Sequence, residues 1–167
     1  MKPTILIIHG GMASGKSTIT TALEKRLKLR KFVFIDRAYI KDIMLYHVGI
    51  EKVKLARSLS KSAVFSLVKE LMPYKYNVLL QEERAPSIKK HLGKYIKKYN
   101  YRIKSFYFQC SLKTAQKRNL NRNKSPVSFS FLKQMHEEHG YADKEDIIID
   151  TEKNNISKTI KLILNEL

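Results

Sequence analysis

A glycine-rich segment near the start of the sequence has the residue types and spacing that hold a chain of phosphates. It matches the pattern G-x-x-x-x-G-K-[ST] at every fixed position and consists of Gly10, Gly11, Met12, Ala13, Ser14, Gly15, Lys16 and Ser17. Glycines let the backbone wrap closely around phosphate oxygens, and a helix that starts at the lysine adds its positive end. The segment, extended to Thr18, predicts an ATP site with Lys16 at the β- and γ-phosphates and the Ser17 hydroxyl on Mg²⁺.

A carboxylate that follows the second short apolar run is the candidate general base. Asp36 comes directly after Phe34 and Ile35, so we expect it at the same edge of a sheet as the glycine segment. It can accept the proton of an acceptor hydroxyl, and it can alternatively cap the helix that follows. Arg37, its neighbour, could hold a phosphate of the acceptor.

Two further carboxylates, Glu82 and Glu83, follow the third apolar run. A carboxylate at this place commonly serves Mg²⁺ or its water shell, which makes Glu82 a predicted metal ligand together with Ser17. The alternative is a solvated pair in a loop, with Arg84 beside it to neutralise the charge.

Arg118 and Arg122 are spaced i, i+4 and so share one face of a predicted helix. They belong to a basic segment at about 111–127 that can fold over ATP as a lid and stabilise charge on the transferred phosphoryl group. An ordinary solvated basic face is the alternative.

Short apolar runs alternate with longer periodic segments along the chain, which predicts an α/β fold in one domain, 1–167. The predicted strands are 4–8, 32–35, 78–80, 103–108 and 147–149. The predicted helices are 17–29, 38–48, 53–71, 86–99, 111–123, 129–139 and 156–164. Such alternation indicates a parallel sheet covered on both faces, with ligands at the carboxyl ends of the strands.

The charge is strongly positive, with 33 Lys and Arg against 15 Asp and Glu and a net charge of +18. Residues 84–136 contain 14 basic residues and no carboxylate, which indicates a polyanionic partner such as nucleic acid or, alternatively, only a biased composition. The single cysteine, Cys110, cannot form an internal disulfide, and no apolar run is long enough for a membrane span. We therefore expect a cytoplasmic protein without a membrane partner; nothing in the sequence indicates an oligomeric state.

On these residues, the sequence resembles P-loop kinases of the polynucleotide-kinase and zeta-toxin group, and most of all phage polynucleotide 5′-hydroxyl kinases. The likeness lies in the phosphate loop, the segment 34–44 around Asp36, the strand ending at Glu82, the basic segment with Arg118 and Arg122, and the strand ending 149–151. It implies a P-loop NTPase fold, a five-stranded parallel sheet of order 2-3-1-4-5 with helices on both faces and a helical lid. It also implies Asp36 as general base, with Lys16, Arg118 and Arg122 catalytic.

These features together favour a kinase that transfers the γ-phosphate of ATP to the 5′-hydroxyl of RNA or DNA. A kinase for a small molecule, such as a nucleoside, nucleotide sugar or antibiotic, is the first alternative. A regulatory ATPase without an acceptor is the second, and it would have little need of Asp36.

Overall fold

The computed structural model describes residues 2–27, 30–47, 49, 52–121 and 126–167. The strands are β1 (Thr4–Gly10), β2 (Phe32–Asp36), β3 (Asn77–Gln81), β4 (Arg102–Gln109) and β5 (Ile147–Asp150). The helices are α1 (Lys16–Leu27), α2 (Arg37–Tyr46), α3 (Val53–Leu71), α4 (Ala85–Tyr99), α5 (Leu112–Leu120), α6 (Phe129–His139) and α7 (Ile156–Asn165). Each of them falls where the sequence predicts an element of the same type.

The five strands form one sheet in the order β2-β3-β1-β4-β5, and all neighbouring strands are parallel. This is the predicted sheet, and its doubly wound connections bring the carboxyl ends of the strands to one edge. β1 lies at the centre and is buried along its whole length, which explains why its sequence is an unbroken apolar run rather than an alternating one.

Successive residues of β1 feed two separate hydrophobic cores. Ile5 and Ile7 pack into the core under α3 and α4, whereas Leu6 and Ile8 pack into the core under α1 and α7. Helices therefore cover both faces of the sheet, as the sequence predicts. Within the described ranges, no helix is long and apolar enough to cross a membrane.

A buried polar network ties the central strand to the segment before β5. The Asp146 carboxylate accepts hydrogen bonds from His9 Nε2 at 2.8 Å, Ser105 Oγ at 2.5 Å and the Asp143 backbone N at 2.6 Å. Burial alone would raise the pKa of Asp146, but the hydrogen bonds from Ser105, His9 and Asp143 outweigh it and lower the pKa below its ordinary value. His9 directly precedes Gly10, so this network also fixes the strand end from which the phosphate loop starts.

Replacing Asp146 with asparagine should lower the free energy of unfolding by about 2 kcal/mol, because one amide oxygen cannot accept all three hydrogen bonds. Since the folded-state pKa is the lower one, the stabilisation is complete above the ordinary pKa and is lost as the pH falls through the folded value. Denaturant unfolding at several pH values should show the wild type losing stability more steeply than Asp146→Asn as the pH falls below the ordinary pKa of aspartate. Parallel curves for the two proteins would contradict this role of Asp146.

Candidate active site

The glycine-rich segment forms the loop between β1 and α1, with left-handed backbone angles at two glycines. Gly10 has φ +143° and Gly15 has φ +96°. A Cβ at Gly10 would lie only 2.3 Å from the carbonyl oxygen of Phe108, so only glycine fits there. The side chain of Lys16 holds the loop in shape, because Nζ donates to the carbonyl oxygens of Gly10 at 2.9 Å and Gly11 at 2.8 Å.

Two features of this loop fit the phosphates of a nucleotide. The α1 helix starts at Lys16, so its positive end points at the loop. The hydroxyl of Ser14 is buried and has no hydrogen-bond partner among the described residues. A buried hydroxyl without a partner is costly, and a phosphate oxygen in the loop would satisfy it.

Glu82 lies against the phosphate loop. Its carboxylate forms an ion pair with Lys16 Nζ at 3.1 Å. The backbone of Glu82 is left-handed, with φ +66°, which is uncommon for a residue other than glycine and is found at functional turns. With the Ser17 hydroxyl in the same cleft, Glu82 supplies the kind of oxygen donors that Mg²⁺ prefers.

Asp36 serves both as a helix cap and as a wall of the cleft. One carboxylate oxygen, Oδ1, accepts a hydrogen bond from the Ala38 backbone N at 2.8 Å and so caps α2. The other, Oδ2, accepts from Gln81 Nε2 at 3.0 Å, and this nitrogen lies 3.4 Å from Ser17 Oγ. Burial raises the pKa of Asp36; backbone N–H groups of Ala38 and Tyr39 lower it in part. The capping and catalytic interpretations are therefore compatible.

Gln81 is a site residue to which the sequence interpretation gave no role. It is the last residue of β3, is only 4% exposed, and its amide links Asp36 to Ser17. The available signal was a polar side chain closing an otherwise apolar buried strand at the sheet edge where ligands bind.

The ion pairs around Glu82 and Glu83 differ from the prediction. Glu83 is buried, and its Oε1 lies 3.0 Å from Arg37 Nε, which also donates to the Glu82 carbonyl oxygen at 2.9 Å. Burial raises the pKa of Glu83, while the charge of Arg37 lowers it in part. Arg84 does not neutralise the two glutamates.

Arg84 instead forms a two-pronged ion pair with Asp143, and its guanidinium lies 4.1 Å from the ring centre of Tyr141. The prediction for Arg84 was wrong because successive side chains at the end of a strand point in different directions, so neighbours in sequence need not meet.

Arg118 reaches back from α5 to the phosphate loop. Its guanidinium donates to the Ser14 carbonyl oxygen at 3.3 Å, to Thr151 Oγ1 at 2.9 Å and to the Thr151 carbonyl oxygen at 2.8 Å. Ser111 caps α5 by accepting from the Thr114 backbone N, so the basic segment begins with a helix as predicted. Arg122 lies outside the described residues.

A cleft of about 1300 Å³ at the carboxyl ends of the strands contains most of these groups. Among the residues predicted from the sequence, it brings together Gly10, Met12, Ala13, Ser14, Gly15, Lys16, Ser17, Thr18, Asp36, Glu82 and Arg118. Gly11 belongs to the same loop but is not part of the cleft lining. Arg57 of α3 and Lys117 of α5 add positive charge to its opposite walls.

Changing Gln81 to leucine should lower kcat by about 10-fold to 10²-fold, because Asp36 loses the contact that orients its second oxygen. Gln81→Glu should instead move the acid limb of the pH–rate profile to higher pH, since a second carboxylate disfavours ionisation of Asp36. Unchanged profiles for both variants would show that Gln81 only fills space.

Changing Arg118 to lysine should be almost as damaging as changing it to alanine, with a loss of turnover of about 10²-fold. A planar fork that bonds Ser14 and both oxygens of Thr151 cannot be replaced by a point charge. Steady-state kinetics of the two variants provide the comparison, and full activity of Arg118→Lys would mean that charge alone suffices.

The family model described as Zeta toxin matches residues 1–139, which include the phosphate loop, Asp36, Glu82 and Arg118. No curated protein matches the chain.

Solved structures share the fold at low sequence identity. A putative kinase from Chloroflexus aurantiacus superposes with a TM-score of 0.77 at 14% identity, and the match covers 99% of this chain and 96% of that one. A deoxyadenosine kinase from M. mycoides gives 0.62 at 18% identity and covers 99% and 98%. A chain of an RNA repair complex gives 0.54 at 17% identity and covers 98% of this chain and 44% of that chain.

Proposed function

Because the chain belongs to the Zeta toxin family and is a P-loop phosphotransferase, we propose that it transfers the γ-phosphate of ATP to the 5′-hydroxyl of RNA or DNA. The observation that carries this proposal is the position of Asp36, whose carboxylate lies in the same cleft as Lys16 and is linked to Ser17 through Gln81. A protein that only bound or hydrolysed nucleotide would need this carboxylate only as the cap of α2, and the contact of its second oxygen with Gln81 goes beyond that role.

The chemistry divides among the residues of the cleft. Asp36 accepts the proton of the attacking hydroxyl, and burial supports this by raising the pKa of the carboxyl toward the working pH. The hydroxyl oxygen then bonds to the γ-phosphorus, and ADP leaves with the electrons of the broken bond. Lys16 and Arg118 stabilise the negative charge on the transferred group. Ser17 and Glu82 would hold Mg²⁺, which when bound neutralises phosphate charge.

The charge of the protein supports a polynucleotide acceptor. Beyond the net charge of +18, α4 starts at the cleft edge of the sheet and carries the exposed lysines Lys90, Lys94, Lys97 and Lys98, besides Lys89, which pairs with Glu145. Phosphodiester backbones are held by clustered cations of this kind. The shared fold with a chain of an RNA repair complex is consistent with this substrate class.

The small-molecule alternative has its own support, since the deoxyadenosine kinase matches almost end to end in fold. The salt dependence of KM distinguishes a polynucleotide acceptor from a small-molecule acceptor, because each phosphate contact with a single strand releases about 0.7 counterion. We expect the KM for a 5′-hydroxyl oligonucleotide to rise with salt with a log–log slope of about 2 to 4, for three to six contacts.

The experiment compares a 5′-hydroxyl oligonucleotide with a mononucleoside 3′-phosphate as acceptors over a range of salt concentrations. A steep slope for the oligonucleotide alone, with the higher kcat/KM, supports the proposal. Equal, flat responses with a preference for the mononucleoside would replace it by a small-molecule kinase.

A further inference from the structure

A second cavity lies at the opposite edge of the sheet from the cleft. It has a volume of about 870 Å³ and crosses the first residues of four neighbouring strands, which are Thr4, Phe32, Asn77 and Arg102. β1 has seven residues, so this groove lies about 20 Å from the phosphate loop at 3.3 Å per residue. We call this cavity the basal groove.

The basal groove is lined by four cationic side chains, Lys2, Arg30, Lys75 and Arg102. No Asp or Glu side chain belongs to its lining in the part of the chain that the structure describes. Its floor is apolar, formed in part by Phe32 and Tyr99.

Two of the four cations of the basal groove are hydrogen-bonded within the chain. Lys75 Nζ donates to the Tyr99 carbonyl oxygen at 2.6 Å, and Arg102 Nε donates to the Thr4 hydroxyl at 2.8 Å and its terminal nitrogen to the Leu167 backbone oxygen. Between the described residues, no ion pair involves Lys2 or Arg30. The neighbouring carboxylate of Glu166 is already paired with Lys104 at 2.7 Å.

Several cations of the carboxylate-free stretch 84–136, in contrast, form ion pairs with carboxylates. Arg84 pairs with Asp143, Lys89 with Glu145 and Lys133 with Glu137. These carboxylates all come from the acidic segment 137–167, so part of the positive charge seen in the sequence is neutralised by ion pairs within the chain. Among the described residues, Lys2, Arg30 and Lys75 of the basal groove form no ion pair with a carboxylate, so their charge is available to an external anion.

Hydrogen bonds hold the walls of the basal groove in place. Asn77 accepts a hydrogen bond from the Thr4 backbone N at 2.8 Å and donates to the Arg30 carbonyl oxygen at 2.7 Å. Its own backbone N donates to the Lys31 carbonyl oxygen at 3.0 Å. One side chain therefore fixes the starts of β1, β2 and β3 relative to one another and holds Arg30 at the rim.

We propose that the basal groove binds the phosphodiester backbone of a single-stranded polynucleotide, remote from the reacting end. The inference rests on the proposed polynucleotide acceptor and extends it to a second contact region. Helix α4 runs between the two sites, ending at Tyr99 and Asn100 in the groove wall, and its exposed Lys90, Lys94, Lys97 and Lys98 form the connecting path.

The distance sets a length requirement. A stacked single strand advances about 3.4 Å per nucleotide and an unstacked one about twice that, so the separation of about 20 Å corresponds to about three to six nucleotides. A dinucleotide in the cleft cannot reach the basal groove, whereas an oligonucleotide of about 20 nucleotides reaches it with chain to spare. Affinity should therefore increase between these two lengths, and the gain should depend on the groove cations.

The test uses the full protein and a fluorescent single strand of about 20 nucleotides with a 5′-phosphate, so that binding is measured without transfer. The variant is Arg30→Glu with Lys75→Glu. The matched control is Lys158→Glu with Lys161→Glu, which makes the same charge change at exposed positions of α7 outside both cavities. Lys75→Gln keeps a donor for the Tyr99 oxygen and gives a milder change that guards against misfolding. A dinucleotide serves as the short probe.

We expect the groove variant to bind the long strand at least about tenfold more weakly than the control does at low salt, and to flatten the salt slope by about 1.4 for two lost contacts. Lys75→Gln should flatten it by about 0.7. The advantage of the long probe over the dinucleotide should shrink accordingly.

Equal binding by the groove variant and the control, or equal weakening of long and short probes, would overturn the basal groove as a polynucleotide site. A parallel transfer assay with 5′-hydroxyl strands separates this result from failure of the proposed function. Transfer without groove dependence removes only the groove, whereas groove-dependent binding without transfer to any oligonucleotide keeps the groove and removes the acceptor assignment.

Discussion

Lys16→Met is expected to reduce phosphoryl transfer by at least about 10² to 10³-fold while leaving the protein folded. The buried ammonium of Lys16 is the cation nearest the loop carbonyls of Gly10 and Gly11, and methionine keeps its apolar stem but removes the charge. The β- and γ-phosphates would then lose their partner as charge develops in the transition state. Single-turnover transfer with labelled ATP measures the effect, with circular dichroism as the check on folding.

The matched control is Lys25→Met, at an exposed position on the same helix, α1. It removes one positive charge without touching the loop, so its rate should stay close to that of the wild type. If Lys16→Met transferred phosphate as fast as this control, the loop would not be the phosphate site.

Asp36→Asn should preserve ATP binding and slow the chemical step by about 10² to 10⁴-fold, the usual contribution of a general base. Asparagine is also a good helix cap and can still accept the hydrogen bond from the Ala38 backbone N, so α2 should remain in place. Because burial raises the pKa of Asp36, the wild-type rate should fall on the acid side at a pH above the ordinary value for aspartate. That acid limb should be absent from the variant.

The contrasting carboxylate is Asp42 on α2, the helix that Asp36 caps; it lines the cleft but pairs with Lys41 at 3.1 Å. Asp42→Asn should therefore slow the reaction far less than Asp36→Asn. A collapse of ATP affinity in Asp36→Asn, with normal single-turnover transfer once ATP is bound, would mean that Asp36 is structural or holds the metal.

Most of the fold could be predicted from the periodicity of apolar residues and from the breaks between periodic segments. The unbroken apolar run of β1 and the alternation of short runs with longer helical segments specify buried parallel strands joined by helices. Periodicity was less informative about which side chains are buried. In α3 the apolar residues at helical spacing include Leu59 and Leu67, but the structure exposes both and buries Ser60 instead. A helix that meets the sheet over a narrow contact buries only part of a wide apolar face.

The phosphate loop could be predicted because its backbone geometry depends on residues adjacent in sequence. The contacts around it join residues far apart in sequence, and no local pattern records them. Gln81 meets Asp36 only because β3 pairs with β2 in register, and Arg84 meets Asp143 across 59 positions of sequence. The carboxylate-free stretch was likewise an incomplete guide to the charge of the folded surface, since the acidic segment 137–167 folds back and neutralises some of its cations.

The most direct test of the proposed transfer follows the γ-phosphate of labelled ATP when the wild-type protein is given a 5′-hydroxyl oligonucleotide, a panel of nucleosides, or water alone. We predict that the label appears on the 5′ end of the oligonucleotide, that little is released as inorganic phosphate, and that Asp36→Asn slows the transfer by about 10² to 10⁴-fold. Release of the label as inorganic phosphate at the same rate with and without every acceptor, undiminished in Asp36→Asn, would contradict it.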